Sequence, residues 1–276
     1  MVNDTHTRRR LTDTAGDVSM CVVDCARGVA CLHDVVYIVC HRSSALLRFS
    51  ASTHQRLTDL DIKDLRSPWD IVACERTSQL YVADDDRCIW RVSSDGKNIK
   101  HWLPKSLSDT FKPQSLSVTS TRLLVTSSYP QLIQFDALGD ELRRVQLPDD
   151  MEPSHAVESP TGTFIISHLN RQLNQTGVIE VNTGGEVLRQ FSGSPLSSSA
   201  VIPHVDVDSH GNIFVADMHT YRRILLLDAH LRLRRVIVDE DQFNDKPPGC
   251  LCYREQSGQL LVGLYNSVKV FDLSRL

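Results

Sequence analysis

The sequence predicts an all-β fold, a six-bladed β-propeller, on three observations. A Pro- or Gly-led unit of blade length recurs, its strands are short and apolar throughout, and no long amphipathic helix interrupts them. The units open at Gly28, Pro68, Pro113, Pro153, Pro203 and Pro248, at intervals of 40, 45, 40, 50 and 45 residues. Repeats of this size cannot bury their own apolar faces and need copies stacked beside them. Pro and Gly punctuation every few residues argues against helix.

The clearest unit runs from Ile202 to Leu227 and reads as strands His204 to Asp208, Ile213 to Ala216 and Ile224 to Leu227, the first two joined by a Ser-His-Gly-Asn turn. Elsewhere the opening strand reads IVAC, LSVT, AVES or CLCY, and the second VVYIV, LYVAD, LLVTS, FIISH, FVADM or LLVGL. The third reads LLRF, IWRV, LIQF, VIEV, ILLL or VKVF. A central strand covered on both faces is apolar at every position instead of alternating, which is the pattern of the second strands.

Taken in order, residues 1 to 16 read as a polar, flexible tail, and 17 to 276 as one propeller domain. Val18 to Val23 is strand-like, whereas the last unit stops after its third strand, Val268 to Leu273. The N-terminal strand is therefore expected to complete the final blade and close the ring. Blade one continues through Val35 to Val39, Leu46 to Phe49 and an outer strand near Gln55 to Leu57. Blade two has an Asp95-Gly96 hairpin turn, and blade three a tight turn at Thr119 to Thr121. Blade four has a longer loop at His168 to Thr176 and a Gly184-Gly185 turn, and blade five ends in LRLRRVIV, whose basic positions face water.

Hydrophobic content of 41% supplies a core, and a net charge of −4 gives no global attraction to nucleic acid. The eight cysteines, Cys21, Cys25, Cys31, Cys40, Cys74, Cys88, Cys250 and Cys252, lie mostly in apolar strands without a CxxC pair. They read as buried reduced thiols, which points to a cytoplasmic setting. No apolar stretch follows Arg8 to Arg10, so no secretion leader is expected, and no bilayer-length apolar span is present.

The anchor Pro, short strand, glycine-bearing turn and LYVAD or FVAD, followed by Ile-x-x-Val or Ile-x-x-Leu, resemble the NHL repeat. Asp84 and Asp217 occupy its acidic position in blades two and five. Both blades depart from it by lacking the loop Asn. The resemblance implies a six-bladed propeller similar to the C-terminal domain of tripartite-motif proteins, a binding module for proteins or for single-stranded or structured RNA. No RING or B-box pattern precedes it, so ligase activity does not follow.

Strand order gathers the turns between second and third strands on one rim around the channel. They contribute His41, Arg42, Asp85, Arg87, Tyr129, His168, Arg171, His219, Tyr221, Arg222, Tyr265 and Asn266, and the positions after anchors Pro68 and Pro203 add Trp69 and His204. Basic, aromatic and amide groups in a ring suit a protein or peptide, the favoured partner, or single-stranded RNA as the alternative. The structural reading of the same residues is an ordinary polar loop surface. The arginines of the outer strands, Arg143, Arg144, Arg232, Arg234 and Arg235, read as edge protection. Asp84 to Asp86 lacks calcium-loop spacing.

The run PHVDVDSHGNIFVADMHT is similar to a blade of peptidylglycine amidating lyases, which implies a zinc role for His204 as a further alternative. Zinc needs three or four ligands, and the matching positions hold Val29, Trp69, Gln114, Ser154 and Gly249. His155 is displaced by one residue, which by strand alternation turns it away. With no GxSxG, glycine-rich phosphate loop or HExxH either, the expectation is a monomeric, non-enzymatic module without metal or other cofactor and without membrane contact.

Overall fold

The computed structural model describes residues 18–22, 25–84, 88–103, 111–191, 204–217, 221–243 and 246–274, so the expected tail falls outside it. Six four-stranded antiparallel sheets form the blades. Blade one comprises β2 (Ala26–Leu32), β3 (Val35–Cys40), β4 (Ala45–Ser50) and β5 (Leu60–Asp61). Blade two comprises β6 (Pro68–Cys74), β7 (Gln79–Asp84), β8 (Cys88–Ser93) and β9 (Ile99–His101). Blade three is β10 (Pro113–Thr119), β11 (Arg122–Ser127), β12 (Gln131–Phe135) and β13 (Glu141–Gln146). Blade four is β14 (Met151–Glu158), β15 (Phe164–Asn170), β16 (Gln175–Val181) and β17 (Val187–Gln190). Blade five is β18 (His204–Val207), β19 (Ile213–Asp217), β20 (Arg223–Leu227) and β21 (Leu233–Val238). Blade six is built from β22 (Cys250–Arg254), β23 (Gln259–Gly263) and β24 (Ser267–Asp272), with β1 (Val18–Cys21) as its outermost strand.

The closure expected from the sequence is present. β1 pairs antiparallel with β24, Met20 opposite Val268, and the pairing extends through a Val22 N–H donated to the Asn266 carbonyl at 3.0 Å. The innermost strands complete the circle, β2 packing on β6, then β10, β14, β18 and β22, which returns to β2.

The second strands are buried along nearly their whole length because each lies between two neighbouring sheets. The apolar core is accordingly divided into clusters between blades. One joins blades one and two through Tyr37, Leu80 and Trp90, and another joins blades six and one through Met20, Val268 and Ile38. The Gly184-Gly185 turn has a packing reason: a Cβ on Gly185, at φ +89°, would stand 2.0 Å from the Gln146 carbonyl oxygen of blade three.

Two local expectations are corrected. The outer strand of blade one is Leu60–Asp61, paired with Ala45 and Leu46, whereas the region 55–57 contributes only a bridge between Arg56 and Phe49. The loop of blade four is shorter than expected, since β15 and β16 pair as far as Asn170 opposite Gln175, leaving only 171–174 as the turn.

Candidate functional site

Strand register identifies a tier at the channel. Gly28, Asp70, Ser115, His155, His204 and Cys250 each sit opposite a corresponding position near the end of the second strand: Val39, Ala83, Thr126, Ser167, Ala216 and Gly263. In the first four blades the register shifts at the start of the inner strand, bypassing Arg27, Trp69, Gln114 and Ser154. An extra residue in a period-two strand moves every following side chain to the other face. This overturns the expectation that His155 turns away: its ring lies against that of His204, centroids 3.6 Å apart and planes 31° apart. Trp69 is a bypassed residue and instead lies beneath the Arg27 guanidinium, 4.9 Å from the ring centre.

Asp70 joins this pair. Its Oδ2 is 3.8 Å from His155 Nε2, and donor atoms of Asp70, His155 and His204 all fall within 4.8 Å of one another. The space is left by Gly28, where a Cβ would stand 2.7 Å from Asp70 Oδ1. Asp70 accepts the Ile71 and Leu116 backbone N–H groups, each at 2.8 Å, while His155 Nε2 lies 3.3 Å from the Leu116 carbonyl. Both ring nitrogens of His204 and the hydroxyls of Ser115 and Ser117 are buried with no hydrogen-bond partner among the described residues. Buried polar atoms are normally satisfied, so this group of orphans marks the tier as unusual.

Burial dominates its electrostatics. It pushes the Asp70 carboxyl up to about 7 despite the two backbone N–H groups, and His155 down to about 4 against the opposing backbone of Leu116 and Val205. His204 lies well below the ordinary imidazole range, first from burial and then from His155 beside it. Both rings are therefore neutral at pH 7, with unprotonated nitrogens to offer.

Asp70, His155 and His204 of this tier line a cavity of about 620 Å³ that extends to the turns joining first and second strands, among Glu75, Ser120, Pro160, Ser209 and Glu255. That end is opposite the rim selected from the sequence, and its wall is acidic, including Glu158, Asp206 and Asp208. Asp206 also latches two blades: its Oδ1 accepts Val207 N–H at 2.8 Å and its Oδ2 accepts Tyr253 N–H of blade six at 2.7 Å. Burial raises its carboxyl to about 6. Asp206→Ala leaves both donors unpaired and is expected to cost about 2–5 kcal/mol at pH 7 by denaturant unfolding. A cost under about 0.5 kcal/mol would remove the latch.

The other rim carries many, but not all, of the residues expected there. His41, half-buried, and Arg42, exposed at φ +57°, form the β3–β4 turn. Tyr129, Tyr221 and Tyr265 are 52%, 40% and 63% exposed on the turns of blades three, five and six. Arg171 lies on the blade-four turn, its Nε 2.9 Å from Glu152. Arg222, at φ +40°, precedes Arg223, whose guanidinium stacks 4.3 Å from the Tyr221 ring centre. The Asn266 side-chain oxygen accepts from Lys246. Asp85, Arg87 and His219 lie outside the described residues. His168 is corrected: it belongs to β15, is buried and covers Gly177, so it is no rim contact.

Asp84 and Asp217 have structural work that explains their motif position. Asp84 accepts the backbone N–H groups of Arg66 and Ser67 and the Trp90 indole N–H, fixing the entry to blade two, and Asp217 pairs with Arg223 at 3.0 Å.

No family model and no curated protein matches the chain. Among solved structures it is similar to Kuenenia stuttgartiensis hydrazine synthase, at 14% identity over 90% of this chain and 84% of that one, TM-score 0.62. It is also similar to a chain in a nidogen/laminin complex, at 16% identity over 80% and 82%, TM-score 0.61. These likenesses support the six-bladed propeller fold. At these identities the NHL repeat itself is not established.

Proposed function

We propose that this propeller is a non-enzymatic module, monomeric and cytoplasmic, that docks a protein segment on the rim of its second-to-third-strand turns. One observation carries the reading: four consecutive blades, three to six, each expose a large apolar or aromatic side chain there, namely Tyr129, Leu173, Tyr221 and Tyr265. Tyrosines make strong docking anchors because they bury a large ring at low entropic cost while keeping a hydroxyl for hydrogen bonding.

The partner's chemistry is that of an extended segment with apolar side chains for the tyrosine arc and carboxylates for Arg42 and Arg222. RNA is the less favoured partner, because Asp150 and Glu152 share the rim and oppose a polyanion. The nidogen/laminin similarity supplies an example of a related fold in a chain taken from a protein complex. Cys31, Cys74, Cys250 and Cys252 are free thiols, which supports the reducing compartment. Among the described residues, no helix is long and apolar enough to cross a membrane.

The test is a pull-down with and without nuclease, followed by titration of the recovered partner in purified form. Nuclease-resistant, direct binding that is lost in Tyr221→Ala with Arg222→Glu supports the reading. Recovery only through nucleic acid, or direct binding indifferent to the double variant, overturns it.

A further inference from the structure

We infer that Asp70, His155 and His204 form a binding site for one divalent transition-metal ion of the zinc class, tying blades two, four and five together across the channel. The donors come from three inner strands, β6, β14 and β18, that have no backbone pairing with one another. The site is distinct from the docking rim and faces the cavity at the opposite end.

The donor set is chemically apt. One carboxylate oxygen and two imidazole nitrogens suit zinc and its neighbours. A tetrahedral ion with bonds of about 2.0–2.1 Å holds its ligand atoms roughly 3.3 Å apart. Here Asp70 Oδ2 and His155 Nε2 are 3.8 Å apart, and the whole set spans no more than 4.8 Å, so closure requires movement of up to about 1.5 Å and, for ligation through Nε2, release of its 3.3 Å contact with the Leu116 carbonyl. The stacked rings require His204 to turn about its side-chain bonds, and neither of its nitrogens carries a hydrogen bond that would resist.

A second observation points independently to an occupant. Both ring nitrogens of His204 are buried without a hydrogen-bond partner among the described residues, and Ser115, 7% exposed on the same tier, has an orphaned hydroxyl. Asp70 is held from behind by two backbone N–H groups, which orients its carboxylate as a second layer orients metal ligands. The acidic wall adds attraction for a cation. Three protein donors leave an open position toward the cavity, filled by water.

Untagged protein, stripped with chelator and dialysed, is titrated separately with zinc and cobalt(II) by calorimetry, with elemental analysis and thermal melting. The expected result is one equivalent per chain and a rise in Tm of roughly 5 °C or more at saturating metal. His155→Ala and His204→Ala should each weaken binding at least about 100-fold and abolish the Tm shift, while exposed His230→Ala leaves both unchanged. His155→Gln, close in size, is the parallel variant should the alanine variant misfold. No stoichiometric uptake overturns the inference, as does uptake that a folded His155 or His204 variant retains in full, which assigns the ion to surface histidines or thiols. Tyr129→Ala and Tyr265→Ala should keep full metal binding, so failure here and failure of the docking reading are separable.

Discussion

Deleting residues 1–24 is expected to abolish the folded monomer. The deletion removes the outermost strand of blade six, and with it the pairings from Val18 opposite Val270 to Cys21 opposite Ser267. It also takes Met20 and Val22, 1% and 6% exposed, from the cluster between blades six and one. Truncating a single buried Met costs about 2–5 kcal/mol, and loss of the whole strand about 5–10, against a total stability of about 5–15 for a domain. The third strand of blade six would be left with an unpaired edge, the surface on which strand-to-strand aggregation begins. Light scattering after size-exclusion chromatography should show aggregate in place of monomer. A monomer with unchanged melting would contradict the closure.

The second large effect is expected at the docking rim. Replacing Tyr129, Tyr221 and Tyr265 together by alanine should weaken partner binding by about 1,000-fold or more, because a buried aromatic anchor is commonly worth about 2 kcal/mol or more. Folding should be nearly unaffected, since these side chains are exposed on turns. Affinity of the unaltered protein should also depend weakly on salt. A steep log–log loss of affinity with salt would identify phosphate contacts and contradict the choice of protein as partner. The triple variant therefore tests the location of the surface, and the salt series tests the chemistry of what it binds.

Blade number and ring closure were legible in the sequence because both follow from composition along the chain. The second strands are apolar at every position, and an incomplete last unit demands a strand from elsewhere. The tyrosine turns were legible for a related reason: Tyr129, Tyr221 and Tyr265 interrupt polar segments between apolar runs. The channel tier was not. Counting from the anchor prolines assigns Trp69, Gln114 and Ser154 to it, whereas the register shift in each strand puts Asp70, Ser115 and His155 there. Whether an inner strand bulges is decided by its pairing with the second strand, information that no local pattern carries. One signal was available, the isolated Asp70 in the otherwise apolar PWDIVAC, because a carboxylate in such a strand needs partners. His168 failed differently, since the polar run HLNRQLNQ reads as loop while the blade-four hairpin extends its pairing through Asn170.

The central claim, that the tyrosine rim is the docking face, is tested most directly by hydroxyl-radical footprinting of the protein alone and with its purified partner. The account predicts that Tyr129, Tyr221 and Tyr265 become protected together, while Tyr253, beside the acidic cavity, keeps its rate of modification. Protection of Tyr253 with the three rim tyrosines unchanged would place the partner at the opposite end of the propeller and contradict the account.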